Sequence, residues 1–278
     1  MPVERLGESL ALINWTVLTT LAVGTFLAVV AGRFLTAATR GYLAFTAISA
    51  AVFAVLAWAA DGGLPPAIED GLTIGLEMAR RAGLLGLAIA GVAYGVAIQR
   101  GHRAAPIAIA GVGAALVTLV SGAWSLSAGE TVIELGLFLI QLVALAAALG
   151  GVWAAMVLGH WYLVTPKLPE APLVRFARWL TIVLAIQLVL SIVWLGVGAG
   201  SNGLPGFRAM VELPWAFFVW LRLLVGLVFP LIVSWAAIQT ARTRSMESAT
   251  GLLYINVGTI AAGTILAAGL YFGAGLLV

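Results

Sequence analysis

The sequence predicts an all-α integral membrane protein with eight transmembrane helices, and its composition is the first reason. Of the 278 residues, 63% are hydrophobic and only 9% are charged, with a mean hydropathy of +1.12. Soluble globular chains carry about 45–50% apolar and about 25% charged residues. This shortage of charge excludes a soluble enzyme, a disordered chain and a nucleic-acid-binding protein. The 14 basic and 11 acidic residues are scattered between apolar runs, so they form no basic patch for phosphates.

Eight apolar runs are each long enough to cross a bilayer, which takes about 20 residues in a helix. The runs lack the alternation of barrel strands, and lipid admits only helices or closed barrels. Met1–Leu10 carries Glu4, Arg5 and Glu8 instead of a cationic leader, so we expect the first run to be an uncleaved span. The predicted helices cover residues 10–31, 41–60, 72–98, 105–127, 131–163, 174–199, 214–239 and 249–277.

Charges between the spans predict the orientation of the chain in a bacterial-type cytoplasmic (inner) membrane. The loops after spans 1, 3, 5 and 7 hold nine basic residues against Glu170 and Glu247. The opposite side holds nine acidic and five basic residues. Because positive loops stay in the cytoplasm, both termini are expected on the outer side. The nine basic loop residues are Arg33, Arg40, Arg100, Arg103, Lys167, Arg175, Arg178, Arg242 and Arg244.

Short matches at a constant offset of 140 residues indicate an internal duplication. Gly63-Leu64-Pro65 matches Gly203-Leu204-Pro205, and Ala97-Ile98-Gln99 matches Ala237-Ile238-Gln239. Abundant Ala, Gly and Leu produce such matches by chance, but one offset across a loop and a helix favours duplication. We therefore predict two tandem four-helix repeats, 1–128 and 129–278. Four spans per repeat make the copies parallel.

Ionisable residues at membrane depth are costly, so each one is a candidate for a functional site. Spans 3 and 5 carry such residues near their outer ends, Glu77 with Arg81 and Glu134 above Gln141, and span 7 carries Arg222. The Glu77/Arg81 spacing allows a pair on one helical face.

Two interpretations of this cluster stay open. In the first, Glu77 pairs with Arg81 and Glu134 with Arg222 to hold helices together, while Arg80 extends outward to the membrane surface. In the second, the cluster binds a polar, anionic or quinone-like head group. Arg81 or Arg222 would donate hydrogen bonds, and Glu134 would accept a hydrogen bond or a proton.

The two histidines and the lack of cysteine limit the cofactors. Without Cys there is no disulfide and no thiolate metal site, and two histidines cannot form a four-histidine haem ladder. The composition thus argues against haem and allows a quinone. His160 lies 26 residues after Glu134, about 39 Å along a helix, so the two cannot share a site. It could bond a quinone carbonyl, but Trp161 and Tyr162 beside it favour an interfacial aromatic belt.

The sequence supports two functional hypotheses, and a subunit with only an assembly role is a third. The first is a quinone-interacting, haem-free membrane subunit of a redox or electron-transfer complex, with other subunits and the lipid bilayer as partners. Eight spans as four plus four resemble, in architecture alone, the haem-free quinol-handling anchors of polysulfide reductase and related molybdoenzyme complexes. The second is a transporter for a small anionic or proton-coupled substrate that uses the buried Glu/Arg cluster. Neither hypothesis makes the chain catalytic by itself.

Overall fold

The fold is a bundle of long helices in a computed structural model that describes residues 2–65, 71–127, 131–165, 167–200, 206–211 and 215–278. The described part contains no strand, only an isolated bridge between Gly200 and Leu276. The helices are α1 Pro2–Glu8, α2 Leu10–Leu35, α3 Arg40–Asp61, α4 Gly71–Gln99, α5 Ala105–Leu126, α6 Val132–Val164, α7 Ala171–Val197, α8 Gly206–Ala209, α9 Ala216–Leu223, α10 Phe229–Arg242 and α11 Met246–Ala274. A π-helical turn, Leu224–Val228, joins α9 to α10.

Eight of these helical segments are long and apolar enough to cross a membrane, which confirms the predicted fold class and span count. Their bounds agree with the predicted spans to within a few residues. The seventh span is not one regular helix, because α9, the π-helical turn and α10 succeed each other within it. Pro214, where the sequence placed the start of this span, lies outside the described residues.

Helices that are consecutive in the chain also pack together. In the first half α2 contacts α3, α3 contacts α4 and α4 contacts α5. In the second half α6 contacts α7, α7 contacts α10, α10 contacts α11, and α11 returns to α6. The two halves meet chiefly where α2 packs along α6. These contacts are consistent with two parallel repeats, but the duplication stays a prediction, and Gly203–Pro205 falls outside the described residues.

Two glycines make the closest approach between the halves possible. Gly24 of α2 faces Ala146 and Gly150 of α6, and a Cβ at either glycine would overlap the backbone of the other helix. Close backbone contact of this kind is how membrane helices associate, because lipid offers no hydrophobic drive to push them together. The crossing brings α6 into contact with helices of both halves.

We expect Gly150→Ala to destabilise the protein, while Gly151→Ala, on the same helix, leaves it unchanged. The added methyl at position 150 must displace the α2 backbone, whereas a Cβ at position 151 meets no atom within 4 Å. Overpacking of this kind costs about 1–3 kcal/mol. Thermal unfolding of the detergent-solubilised variants, monitored by tryptophan fluorescence, measures the difference. Equal melting temperatures for both variants would contradict the crossing.

Candidate functional site

A buried ion pair joins α3 to α4. Asp61, the last residue of α3, has a fully buried side chain, and the side chain of Arg80 is 5% exposed. Arg80 Nε lies 2.5 Å from Asp61 Oδ2, and its Nη2 lies 3.3 Å from Oδ1. Its Nη1 donates to Ser125 Oγ of α5 at 2.6 Å. Three helices are therefore held by the donors of one guanidinium.

Arg81 shares the same carboxylate and lies closer to the surface. Its Nη1 is 3.3 Å from Asp61 Oδ1, and 30% of its side chain is exposed. Its guanidinium lies over the ring of Trp58 at 5.0 Å, and that of Arg80 lies over Trp15 at 5.7 Å. Aromatic faces attract cations, most strongly where water is excluded. We refer to Asp61, Arg80, Arg81 and Trp58 as the Asp61 cluster.

The Asp61 cluster corrects two expectations. Arg80 does not extend outward, because it bonds to Asp61 inside the bundle. Arg81 pairs with Asp61 and not with Glu77, which is half-buried and takes part in no ion pair within the described part of the chain. The sequence placed Asp61 in the loop after span 2. The helix in fact runs to Asp61, and the carboxylate turns inward because two guanidinium groups reach it there.

Arg222 of α9 is another buried cation, 3% exposed. Its Nη2 donates to Gln187 Oε1 of α7 at 3.0 Å. Longer contacts join Nη1 to the carbonyl oxygen of Gly226 at 3.5 Å and Nε to that of Val278 at 3.4 Å. Gln187 in turn donates to the carbonyl of Ala144 on α6. Arg222 thus links α9 to α7 directly and to α6 through Gln187.

The π-helical turn beside Arg222 has a cause in the sequence. Pro230 has no N–H, so it cannot donate to the carbonyl of Gly226 four residues earlier. Arg222 Nη1 reaches that carbonyl, and Asn256 Nδ2 of α11 donates to the carbonyl of Pro230 at 3.1 Å. Gly263 of α11 leaves room for this arrangement, because a Cβ there would lie 2.6 Å from the Gly226 Cα and 3.0 Å from Arg222 Nη1.

Glu134 has another role than the predicted pairing with Arg222. Its carboxylate accepts from the backbone N–H and the hydroxyl of Thr131, at 3.1 and 2.8 Å, and its own N–H donates to Thr131 Oγ1. This reciprocal capping box starts α6. The donors of Arg222 go to Gln187, Gly226 and Val278 instead. Glu130, four residues earlier in the chain, lies outside the described residues.

Gln141 and His160 lie at different depths of α6. Gln141 is 2% exposed and lines a small cavity together with Gln187 and Arg222. His160 lies at the other end of α6, as predicted, and is exposed, with its Nδ1 3.4 Å from the hydroxyl of Tyr254. The structure therefore brings Gln141 and Arg222 together, while Glu77 and Arg81 belong to the other half and His160 to the other end.

An open groove lies on the lipid-facing side of α3 and α4, with a volume of about 680 Å³. The helices are antiparallel and touch closely at Gly91, where a Cβ would lie 2.9 Å from the carbonyl oxygen of Ala47. The groove ends toward the Asp61 cluster at Leu85, four residues or about 6 Å along α4 from Arg81. All its lining residues are apolar: Ile48, Ala51, Val52, Val55, Leu56, Leu85, Ala88, Ile89, Val92 and Ala93.

No protein-family model matches the chain, and none of the curated proteins is similar enough to count as a relative. A function for this chain therefore has to be inferred from the Asp61 cluster, the groove beside it and the surroundings of Arg222.

We expect Asp61→Asn to destabilise the protein strongly, because it leaves Arg80 buried without its carboxylate. Breaking a buried ion pair in this way costs about 3–5 kcal/mol. The matched control is Glu77→Gln, an equally small change on α4 at a carboxylate without an ion pair in the described structure. Thermal unfolding of both variants tests this, and a melting temperature of Asp61→Asn equal to that of the control would contradict it.

Proposed function

We propose that this chain is the quinone-binding membrane subunit of a redox complex, and that the quinone binds along α3 and α4. The observation that carries the proposal is the apolar groove that ends about one helical turn from Arg81. A quinone needs both parts, since it has a long apolar isoprenoid tail and a polar head group. A volume of about 680 Å³ falls within the range of roughly 300–1,000 Å³ typical of ligand pockets.

The groove suits the tail. Its walls face the lipid, with Ile89 70% and Val52 52% exposed, so an isoprenoid chain can enter sideways from the bilayer. Small residues line its floor, among them Ala51, Ala88 and Ala93, which leaves room along the α3–α4 seam. A tail that lies there buries apolar surface on both helices without separating them.

Arg81 suits the head group. The guanidinium has five N–H donors and only one contact to Asp61, and its side chain is partly exposed. A donor left over can bond a quinone carbonyl, while Trp58 offers an aromatic face beside it. Glu77, one turn beyond Arg81 on α4, is the nearest candidate in sequence to accept a proton from the reduced head group. Arg80 keeps its pairing with Asp61 and positions the cluster.

Electrons released by the quinol would pass to a partner subunit, since the chain has no Cys and only two His for redox centres. If positive loops face the cytoplasm of a bacterial-type inner membrane, the Asp61 cluster would lie at its outer face, with both termini on that side. The redox partner would then dock at the outer face.

The test is retention of quinone in lipid nanodiscs that contain ubiquinone-10. We expect Arg81→Gln to weaken retention by about 10- to 100-fold, because a hydrogen bond to a charged group contributes about 1.5–3 kcal/mol. Val52→Trp, which fills the groove, should also lose the quinone. Ile109→Trp is the matched control, because Ile109 is 73% exposed on α5 and does not line the groove. Extraction and chromatography of the bound lipid give the amounts.

Retention that is equal in the wild type, Arg81→Gln and Val52→Trp would contradict the proposal. Mass spectrometry of the intact complex identifies the occupant, and a phospholipid in place of the quinone would contradict it as well. Melting temperatures check that the variants are folded. They should stay near that of Ile109→Trp, since Arg80 still holds Asp61.

Transport of a small anion is the second candidate, and the irregular seventh span favours it. Broken helices at membrane depth build the substrate sites of many transporters, and π-helical turns often mark functional sites. Here the π-helical turn Leu224–Val228 begins two residues after the buried Arg222. The polar residues around Arg222 would then line part of a path that opens when the turn rearranges.

If the second candidate is right, Gly263→Ala blocks chloride flux into proteoliposomes, because its methyl meets the Gly226 backbone and Arg222. Gly258→Ala is the control, since a Cβ at this position of the same helix meets no atom within 4 Å. Chloride flux equal to the wild-type flux in both Gly263→Ala and Arg222→Gln would contradict chloride transport by this route.

A further inference from the structure

A second polar site lies deep in the other half of the bundle, where a small cavity separates Gln141 of α6 from Arg222 of α9. Its volume is about 10 Å³. Three helices supply its polar lining, with Gln187, Ser191 and Trp194 coming from α7. Each of these side chains is at least nine-tenths buried. Neither the quinone groove nor the Asp61 cluster contributes to this cavity.

The carboxamide of Gln141 is the feature that points to an occupant. Its Oε1 is fully buried and accepts no hydrogen bond within the described part of the chain. A buried polar atom without a partner costs about 1–3 kcal/mol, and this one belongs to a residue that lines a cavity. Gln187 does not serve it, because the amide of Gln187 donates to Ala144 and its oxygen accepts from Arg222.

We infer that this cavity is a binding site for one water molecule that bridges Gln141 and the polar groups of α7 and α9. A cavity of about 10–15 Å³ holds one water and nothing larger, so a head group or substrate does not fit. The water donates one hydrogen to Gln141 Oε1. It has Ser191 as a further acceptor and Arg222 or the indole N–H of Trp194 as a donor, which meets the two to four partners that buried water needs.

This water would connect α6, α7 and α9 just before the π-helical turn. The contacts of Arg222 with the carbonyls of Gly226 and Val278 are long, at 3.5 and 3.4 Å, so its guanidinium can still donate to a closer partner. Gln141 has no other polar contact that fixes its carboxamide oxygen in the described structure. The bridge thus sets the side-chain position of Gln141 and completes the surroundings of Arg222.

A crystal structure at a resolution that shows ordered water, from crystals grown with sodium bromide, tests the site. We expect one density peak within hydrogen-bond distance of Gln141 Oε1, without anomalous signal from bromide. In Gln141→Met the peak should be lost, and in Leu142→Met, a buried neighbour outside the cavity, it should remain. No peak in the wild type overturns the inference. So does a bromide signal, which would make the site an anion site.

Thermal unfolding supplies a second readout that needs no crystals. If water satisfies Gln141, Gln141→Met removes a formed hydrogen bond, and the melting temperature stays level or falls relative to Leu142→Met. If Gln141 is unsatisfied, the same substitution removes an orphaned polar group, and the melting temperature rises above that of Leu142→Met. A rise overturns the inference even where the structure of the variant is unknown.

Discussion

Lipid supplies no hydrogen bonds, so a polar group that enters this bundle needs a partner within the protein or an enclosed water. The constraint has two different solutions in the two halves. In the first half, Arg80 pairs with the carboxylate of Asp61. The cost of desolvating both charges is offset by bidentate, charge-assisted hydrogen bonds. In the second half, Arg222 donates hydrogen bonds to the carboxamide oxygen of Gln187 and to main-chain carbonyls. The placement of the surrounding helices depends on these contacts.

The irregular seventh span results from the same constraint. Pro230 deprives the carbonyl of Gly226 of its helical donor, and an unsatisfied carbonyl at this depth would be costly. The backbone forms a π-helical turn here, and Arg222 Nη1 donates to the carbonyl of Gly226. Asn256 donates to the carbonyl of Pro230 itself. Arg222 of α9, the π-helical turn and Asn256 of α11 thus form one connected hydrogen-bonded arrangement. Gly263 permits it by leaving space that a methyl group would fill.

The sequence was sufficient for the helices because each apolar run carries its own length signal, from Leu10–Leu35 through Met246–Ala274. It was not sufficient for the partners of the buried arginines. The positions of Glu77 and Glu134 in the sequence suggested pairs with Arg81 and Arg222, but which side chains meet depends on how the helices pack and not on their spacing along the chain. Asp61 was missed because it sits one residue past the apolar run, where a loop and a helix end look alike. Gln187 gave only a weak signal, since a lone glutamine in a span is usually a packing residue.

The two arginine sites differ in access, and this difference separates their roles. Arg81 is partly exposed and lies one turn from a lipid-facing groove, so a molecule dissolved in the bilayer can reach it without any helix moving. Arg222 is enclosed, and the cavity beside it has room for a single water, so a larger ligand could reach it only if the surrounding helices moved. Each arginine nevertheless has a tryptophan from the end of the preceding long helix in its surroundings, Trp58 in one half and Trp194 in the other. If the halves arose by duplication, the first retained an open site while the second became a closed junction. The quinone proposal needs only the open site, and transport would need both the closed site and its rearrangement.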